Sequence, residues 1–141
     1  MATVISVAQQ KGGAGKTSLA VHLGVALAGQ GRRVTLIDSD PQKSLTAWHG
    51  LRPASATNTI TVATAEGWRL PTEVARLGRA SDIIIIDTPP HAETAARLAV
   101  RESDRVLIPV QPTPLDVWAT TETLDLIGRE GKPCIIVLNR V

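Results

Sequence analysis

The chain has 141 residues, 43% hydrophobic and 20% charged, with a formal net charge of +2. That describes one globular domain able to bury roughly two-thirds of its unfolded surface, too nearly neutral for charge alone to argue for nucleic acid. One cysteine, Cys134, excludes a disulfide or paired-cysteine metal site within the chain, and its apolar setting (Cys-Ile-Ile-Val-Leu) predicts a buried core thiol.

No apolar run approaches the roughly 20 residues of a membrane span. The N-terminus has no basic region ahead of a signal-type segment, so a cytoplasmic protein is expected. The only aromatics are three Trp, so the core must be aliphatic.

Thr3 to Ala8 reads as a buried strand running into a glycine-rich stretch. Thr17 to Ala28 reads as a helix, with Leu19, Ala20, Leu23, Ala26 and Leu27 at helical spacing, ended by Gly29 and Gly31. Arg33 to Asp38 is a second strand, stopped near Pro41, and Lys43 to His49 a short helix. Leu51 to Thr59, rich in Pro, Ala, Ser and Thr, is expected as a surface loop. Thr59 to Ala63 is a strand, and Pro71 to Gly78 a helix with Pro71 in its first turn. Asp82 to Asp87 is the strongest strand, its run of isoleucines suited to burial on both faces. Ala92 to Arg101, Arg105 to Val110, Leu115 to Arg129 and Pro133 to Leu138 continue as helix, strand, helix, strand. This alternation predicts a doubly wound, mostly parallel α/β sheet in three layers.

Residues 10 to 17 read Gln-Lys-Gly-Gly-Ala-Gly-Lys-Thr. The pattern G-x-x-x-x-G-K-[ST] would need a glycine at Gln10, yet Gly15-Lys16-Thr17 carries the usual chemistry. Lys16 reaches outer phosphates, Thr17 ligates Mg²⁺, and Gly12, Gly13, Ala14 and Gly15 let backbone N–H groups crowd a polyphosphate. Ser18 completes the candidate nucleotide-binding stretch. The loop follows a strand and opens a helix, whose N-terminus adds positive potential. Lys11 precedes the glycines with no phosphate of its own in easy reach, which suits it to a neighbour's nucleotide.

Asp87 ends a buried strand, where α/β sheets bind ligands, and is a candidate for holding Mg²⁺ through a water. Asp38 and Asp40 end the second strand. They either address one metal and its waters, or one orients an attacking water, or the segment is an Asp-Pro turn. Asn139 either reads an adenine edge or sits in a turn. Pro109, Pro112 and Pro114 form either a stiff loop or a rigid wall beside the nucleotide or a subunit contact. His22, His49 and His91 show no ligand spacing. Arg76, Arg79, Arg97, Arg101 and Arg105 suit a solvated face better than a basic patch. Trp48, Trp68 and Trp118 form no stacking platform.

Lys-Gly-Gly-Ala-Gly-Lys-Thr, Asp-Ser-Asp-Pro-Gln and Ile-Ile-Asp-Thr-Pro-Pro, in this order, closely resemble the ParA/MinD superfamily of deviant Walker A ATPases. Asp-Arg-Val-Leu-Ile-Pro-Val-Gln-Pro-Thr-Pro-Leu-Asp looks most like short ParA proteins without an N-terminal DNA-binding domain. The resemblance implies a P-loop NTPase fold, with ATP or ADP and Mg²⁺ as cofactors. Lys11 would be a catalytic lysine crossing a nucleotide-sandwich homodimer to the partner's phosphates. Lys16 and Thr17 would serve nucleotide and metal in their own subunit, Asp40 would place the hydrolytic water, Asp38 would lie near the metal, and Asp87 would be the Walker B acid. The ATP-bound dimer would bind non-specific DNA on the nucleoid. A partner or adaptor protein would stimulate a weak ATPase, and the cargo would be a plasmid, a chromosome region or a protein assembly.

Residues 1–141 would form a single ATPase domain lacking the family's C-terminal part, which usually supplies part of the adenine pocket and much of the DNA-binding surface. A MinD-like membrane-cycling ATPase would need a C-terminal amphipathic helix, absent from this sequence. An iron–sulfur carrier would need cysteines shared across a dimer. A nucleotide-holding regulatory module with little turnover is the alternative outside enzymology.

Overall fold

A computed structural model describes residues 2–9, 15–52, 60–90 and 93–139. Six strands form one sheet in the order β3-β2-β4-β1-β5-β6: β1 (Thr3–Val7), β2 (Val34–Asp38), β3 (Ile60–Thr64), β4 (Ile83–Asp87), β5 (Arg105–Val110) and β6 (Cys134–Leu138). Every neighbouring pair is parallel, as the strand–helix alternation predicts. The helices are α1 (Lys16–Gly29), α2 (Ser44–Leu51), α3 (Leu70–Gly78), α4 (Glu93–Arg101) and α5 (Pro114–Glu130). A 3-10 turn at Gly67–Arg69 precedes α3.

Side chains alternate across a strand, so the isoleucines of β4 serve both faces. Ile83 and Ile85 join Ala20 and Ala28 of α1 and Leu45 of α2 in one core cluster. Ile84 and Ile86 join Leu70 and Val74 of α3 and Ala99 of α4 in another. A third cluster holds β5 against α4 and α5 through Val106, Ile108, Val100, Leu126 and Ile127. Three layers result, with β4 buried along its whole length.

The inward face of α1 is Lys16, Ala20, Gly24 and Ala28, one turn apart, and after Lys16 it is a stripe of small residues. A Cβ on Gly24 would lie 2.9 Å from Leu36 Cδ2, so glycine is what lets α1 approach β2. Leu19, Leu23 and Leu27 flank this stripe half-buried, and Ala26, expected inward, is exposed.

Two further expectations are corrected. Cys134 is exposed. β6 pairs only with β5 and is the outermost strand, leaving Ile135, Ile136 and Leu138 about half exposed or more, at 52%, 48% and 63%. An apolar run reads as core only where layers cover it, and no described helix covers this one. Leu51 belongs to α2 rather than to the surface loop; residues 53–59 of that loop lie outside the described residues. Among the described residues no helix is long and apolar enough to cross a membrane.

Candidate nucleotide site

The candidate residues gather at the carboxyl ends of β1, β2 and β4. Val7, Asp87 and Asp38 are register partners across these neighbouring strands, so the sheet itself brings the carboxyl end of the first strand into line with both aspartates. Gly15 adopts φ +93°, in the left-handed region, and caps α1 without a side-chain bond. An added Cβ there would meet Asn139 Nδ2 at 2.1 Å. The first turn of α1 carries no acidic residue, so its positive end faces the site unneutralised by its own side chains.

Lys16 opens α1 and is buried, its Nζ donating to the Gln9 carbonyl at 3.1 Å. Burial lowers its pKa, against the pull of the Asp87 and Asp40 carboxylates, which raise it. Thr17 Oγ1 donates to Asp87 Oδ2 at 2.6 Å. The other oxygen of Asp87, Oδ1, is buried with no hydrogen-bond partner. Desolvation pushes the Asp87 carboxyl up to about 6; the Thr17 bond and Lys16 oppose this, and Asp38 and Asp40 add to it. Ser18 is exposed on α1.

Asp38 accepts from Thr46 N at 2.9 Å, Thr46 Oγ1 at 2.8 Å and Asp40 N at 3.2 Å. It thereby caps the first turn of α2 and fixes the segment that carries Asp40. Asp40 Oδ1 accepts from Gln42 N at 2.9 Å. Asp40 also borders a cleft of about 380 Å³ with Ser39, Glu66, Gly67 and Pro89. Lys11, Gly12, Gly13 and Ala14 lie outside the described residues, as does His91.

Asn139 follows β6, its N–H bonded to Val110 O at 2.8 Å, and its carboxamide packs beside Gly15. Pro109 lies within β5, Pro112 follows it, and Pro114 opens α5 behind the Thr113 cap. Arg76, Arg97 and Arg101 pair with Glu73, Glu93 and Glu130, the pattern of a solvated face.

Sequence reading missed Gln9, Ser39, Thr46 and Thr88. Ser39 Oγ donates to Asp87 O at 2.8 Å and Thr88 Oγ1 to Val7 O at 2.8 Å, tying the strand ends together. Only Thr46 carried a signal, as a hydroxyl residue at the start of a helix that follows an Asp-Pro turn. Gln9 had none beyond its place before the loop.

A parallel sheet with a glycine-capped helix N-terminus, a buried lysine and a hydroxyl–carboxylate pair defines a phosphate-binding α/β domain. The family described as the CobQ/CobB/MinD/ParA nucleotide binding domain matches residues 5–141, and the chain belongs to that family. It is 34% identical over 146 residues to Maintenance of carboxysome distribution protein A of Halothiobacillus neapolitanus, covering 99% of this chain and 67% of that protein. It is 34% identical over 149 residues to sporulation initiation inhibitor protein Soj of Bacillus subtilis, covering 79% and 59% respectively. The chain spans 67%, 55% and 57% of the lengths of three curated relatives.

Among solved structures, the septum site-determining protein MinD of Pyrococcus horikoshii, complexed with Mg-ADP, superposes with a TM-score of 0.83. It is 23% identical, with 99% of this chain and 71% of that one covered. A variant of McdA from Cyanothece in an ATP complex gives a TM-score of 0.82 at 21% identity, covering 97% and 70%. These likenesses establish the shared fold.

Proposed function

We propose that the chain works as an ATP-dependent dimerising switch of the ParA type, whose weak hydrolysis of ATP drives the positioning or partitioning of a cargo. The observation that carries this reading is the Thr17–Asp87 pair beside Lys16. Two hard oxygen groups and one unpartnered buried carboxylate oxygen fit Mg²⁺, so Thr17 and Asp87 are the residues that would hold it. Bound Mg²⁺ supplies neutralisation of the outer phosphates' charge.

The protein groups do the rest. Lys16 and the α1 N-terminus stabilise negative charge on the phosphates. Asp38 steadies the 39–46 segment through Thr46, and Asp40 on that segment orients the attacking water. Lys11, read from its place ahead of the glycines, reaches the nucleotide of a second copy. Relatives named for carboxysome distribution, plasmid partition and sporulation control support a switch that positions DNA or a protein assembly, with non-specific DNA and a stimulating adaptor as partners on the nucleoid.

ATP turnover and sedimentation of the wild type and of Lys11→Ala test this. Lys11→Ala should keep nucleotide binding and lose ATP-dependent dimerisation. A wild type that stays monomeric in saturating ATP and Mg²⁺ overturns the switch.

A further inference from the structure

We propose that Gln9 is a positioning residue that couples the Lys16 ammonium to α5, so that the phosphate site and the outer face of α5 sense one another. This rests on the reading of Lys16 as a phosphate-binding group.

Gln9 is only 3% exposed. Its Nε2 donates to Pro109 O at 3.3 Å and Thr120 Oγ1 at 3.1 Å, and its Oε1 accepts from Thr123 Oγ1 at 2.8 Å. The amide has one allowed orientation, because Pro109 O is an acceptor and must face the NH₂ group. Thr120 Oγ1 in turn donates to Asp116 O at 2.8 Å, which leaves its lone pairs for Gln9. The side chain is therefore pinned to β5 and α5 at once. The main-chain carbonyl of the same residue accepts from Lys16 Nζ. A four-carbon stem does not hold an ammonium in place by itself, so the position of Gln9 sets that of Nζ.

α5 is built around this contact. A helix lying on an aliphatic sheet ordinarily turns its apolar residues inward. Over residues 114–123, α5 instead buries Asp116, Thr120 and Thr123 and leaves Leu115, Val117 and Trp118 exposed at 67%, 59% and 77%. The inward threonines are what Gln9 needs. A shift of α5 then moves Gln9 and with it Lys16, and by linkage a ligand on Lys16 biases α5 equally.

The test compares Thr123→Val, which keeps the shape and removes the donor, with Thr123→Ser, which keeps the donor and removes a methyl. Two quantities are read: the Kd of a fluorescent ATP analogue with Mg²⁺, and amide hydrogen exchange at residues 15–18. Thr123→Ser should bind within about twofold of wild type, and Thr123→Val about tenfold more weakly with faster exchange. Gln9→Met should weaken binding similarly, and adding Thr123→Val to it should cost little more. Wild-type affinity in Thr123→Val, or weaker binding by Ser than by Val, overturns the coupling, since packing alone favours Val. If the wild type binds no nucleotide, the functional reading falls by itself. The exchange data then decide: unchanged exchange at 15–18 in Thr123→Val overturns the coupling, and faster exchange upholds it.

Discussion

Asp38 and Asp87 stand opposite each other at the carboxyl ends of neighbouring parallel strands, each 1% exposed. The fold surrounds Asp38 with three donors and gives Asp87 one, leaving an oxygen bare. Two carboxylates in one register thus do different work: Asp38 organises a loop, and Asp87 retains unused ligating capacity.

The bare oxygen makes Asp87 a pH-dependent burden. Its pKa rises from 3.8 to about 6 on folding, chiefly by desolvation. Between those values the native state binds more protons than the unfolded chain, so stability falls as pH rises through that window. Above it the deficit is up to about 3 kcal/mol. Asp87→Asn should therefore raise the unfolding midpoint at pH 7.5 and change it little at pH 3.5. Equal effects at the two values, by urea denaturation, would contradict this account.

Thr46→Val removes a hydroxyl donor from a buried carboxylate. It should cost about 1–2 kcal/mol in denaturant unfolding and increase the hydrogen exchange of residues 39–46. Thr46→Ser should restore most of both.

Lys43 has φ +54°, the one non-glycine described with positive φ, and it is exposed at the start of α2. Glycine takes this backbone without Cβ strain. Lys43→Gly should stabilise the fold by about 0.5–1 kcal/mol, and Lys43→Ala should not. A loss of stability in Lys43→Gly would show that the lysine side chain has a contact worth more than the strain.

Gly15→Ala meets two obstacles, its φ of +93° and the Asn139 carboxamide. It should weaken nucleotide binding by more than tenfold, measured by titration. Asn139→Ala in the same chain should recover part of the loss, because it removes the collision and leaves the backbone strain. Full recovery would mean the strain is negligible.

Exposed Cys134 should consume one equivalent of a disulfide reagent per chain without denaturant, as a thiol titration will read. A buried thiol would react only after unfolding.

Layer order was legible because strand and helix periods alternate cleanly, and the isoleucines of β4 sat where a doubly covered strand needs them. That Thr17, Lys16 and Asp87 come together was legible, because each follows directly from a strand end or a glycine turn. Cys134 and Ala26 were misread for one reason: local hydrophobicity reports what a segment tolerates, while coverage depends on neighbours distant in sequence. The bonds of Gln9 to Thr120 and Thr123 are of that kind too, formed across more than a hundred residues. So is the capture of Asp38 by Thr46, a partner that spacing alone did not show for a carboxylate left open between metal, water and turn.

β1 has a further consequence, in the order of assembly. It comes first in chain order among the six described strands, yet its partners begin at Ile83 on one side and Arg105 on the other. A chain emerging from the ribosome completes β2 and β3, which pair with each other, while β1 still waits for both its neighbours. Such distant pairing is slow, and apolar strand edges stay open meanwhile. The strand that leads into the phosphate loop is therefore zipped into place late, and newly made chains depend most on protection from aggregation before residue 105 has cleared the exit tunnel.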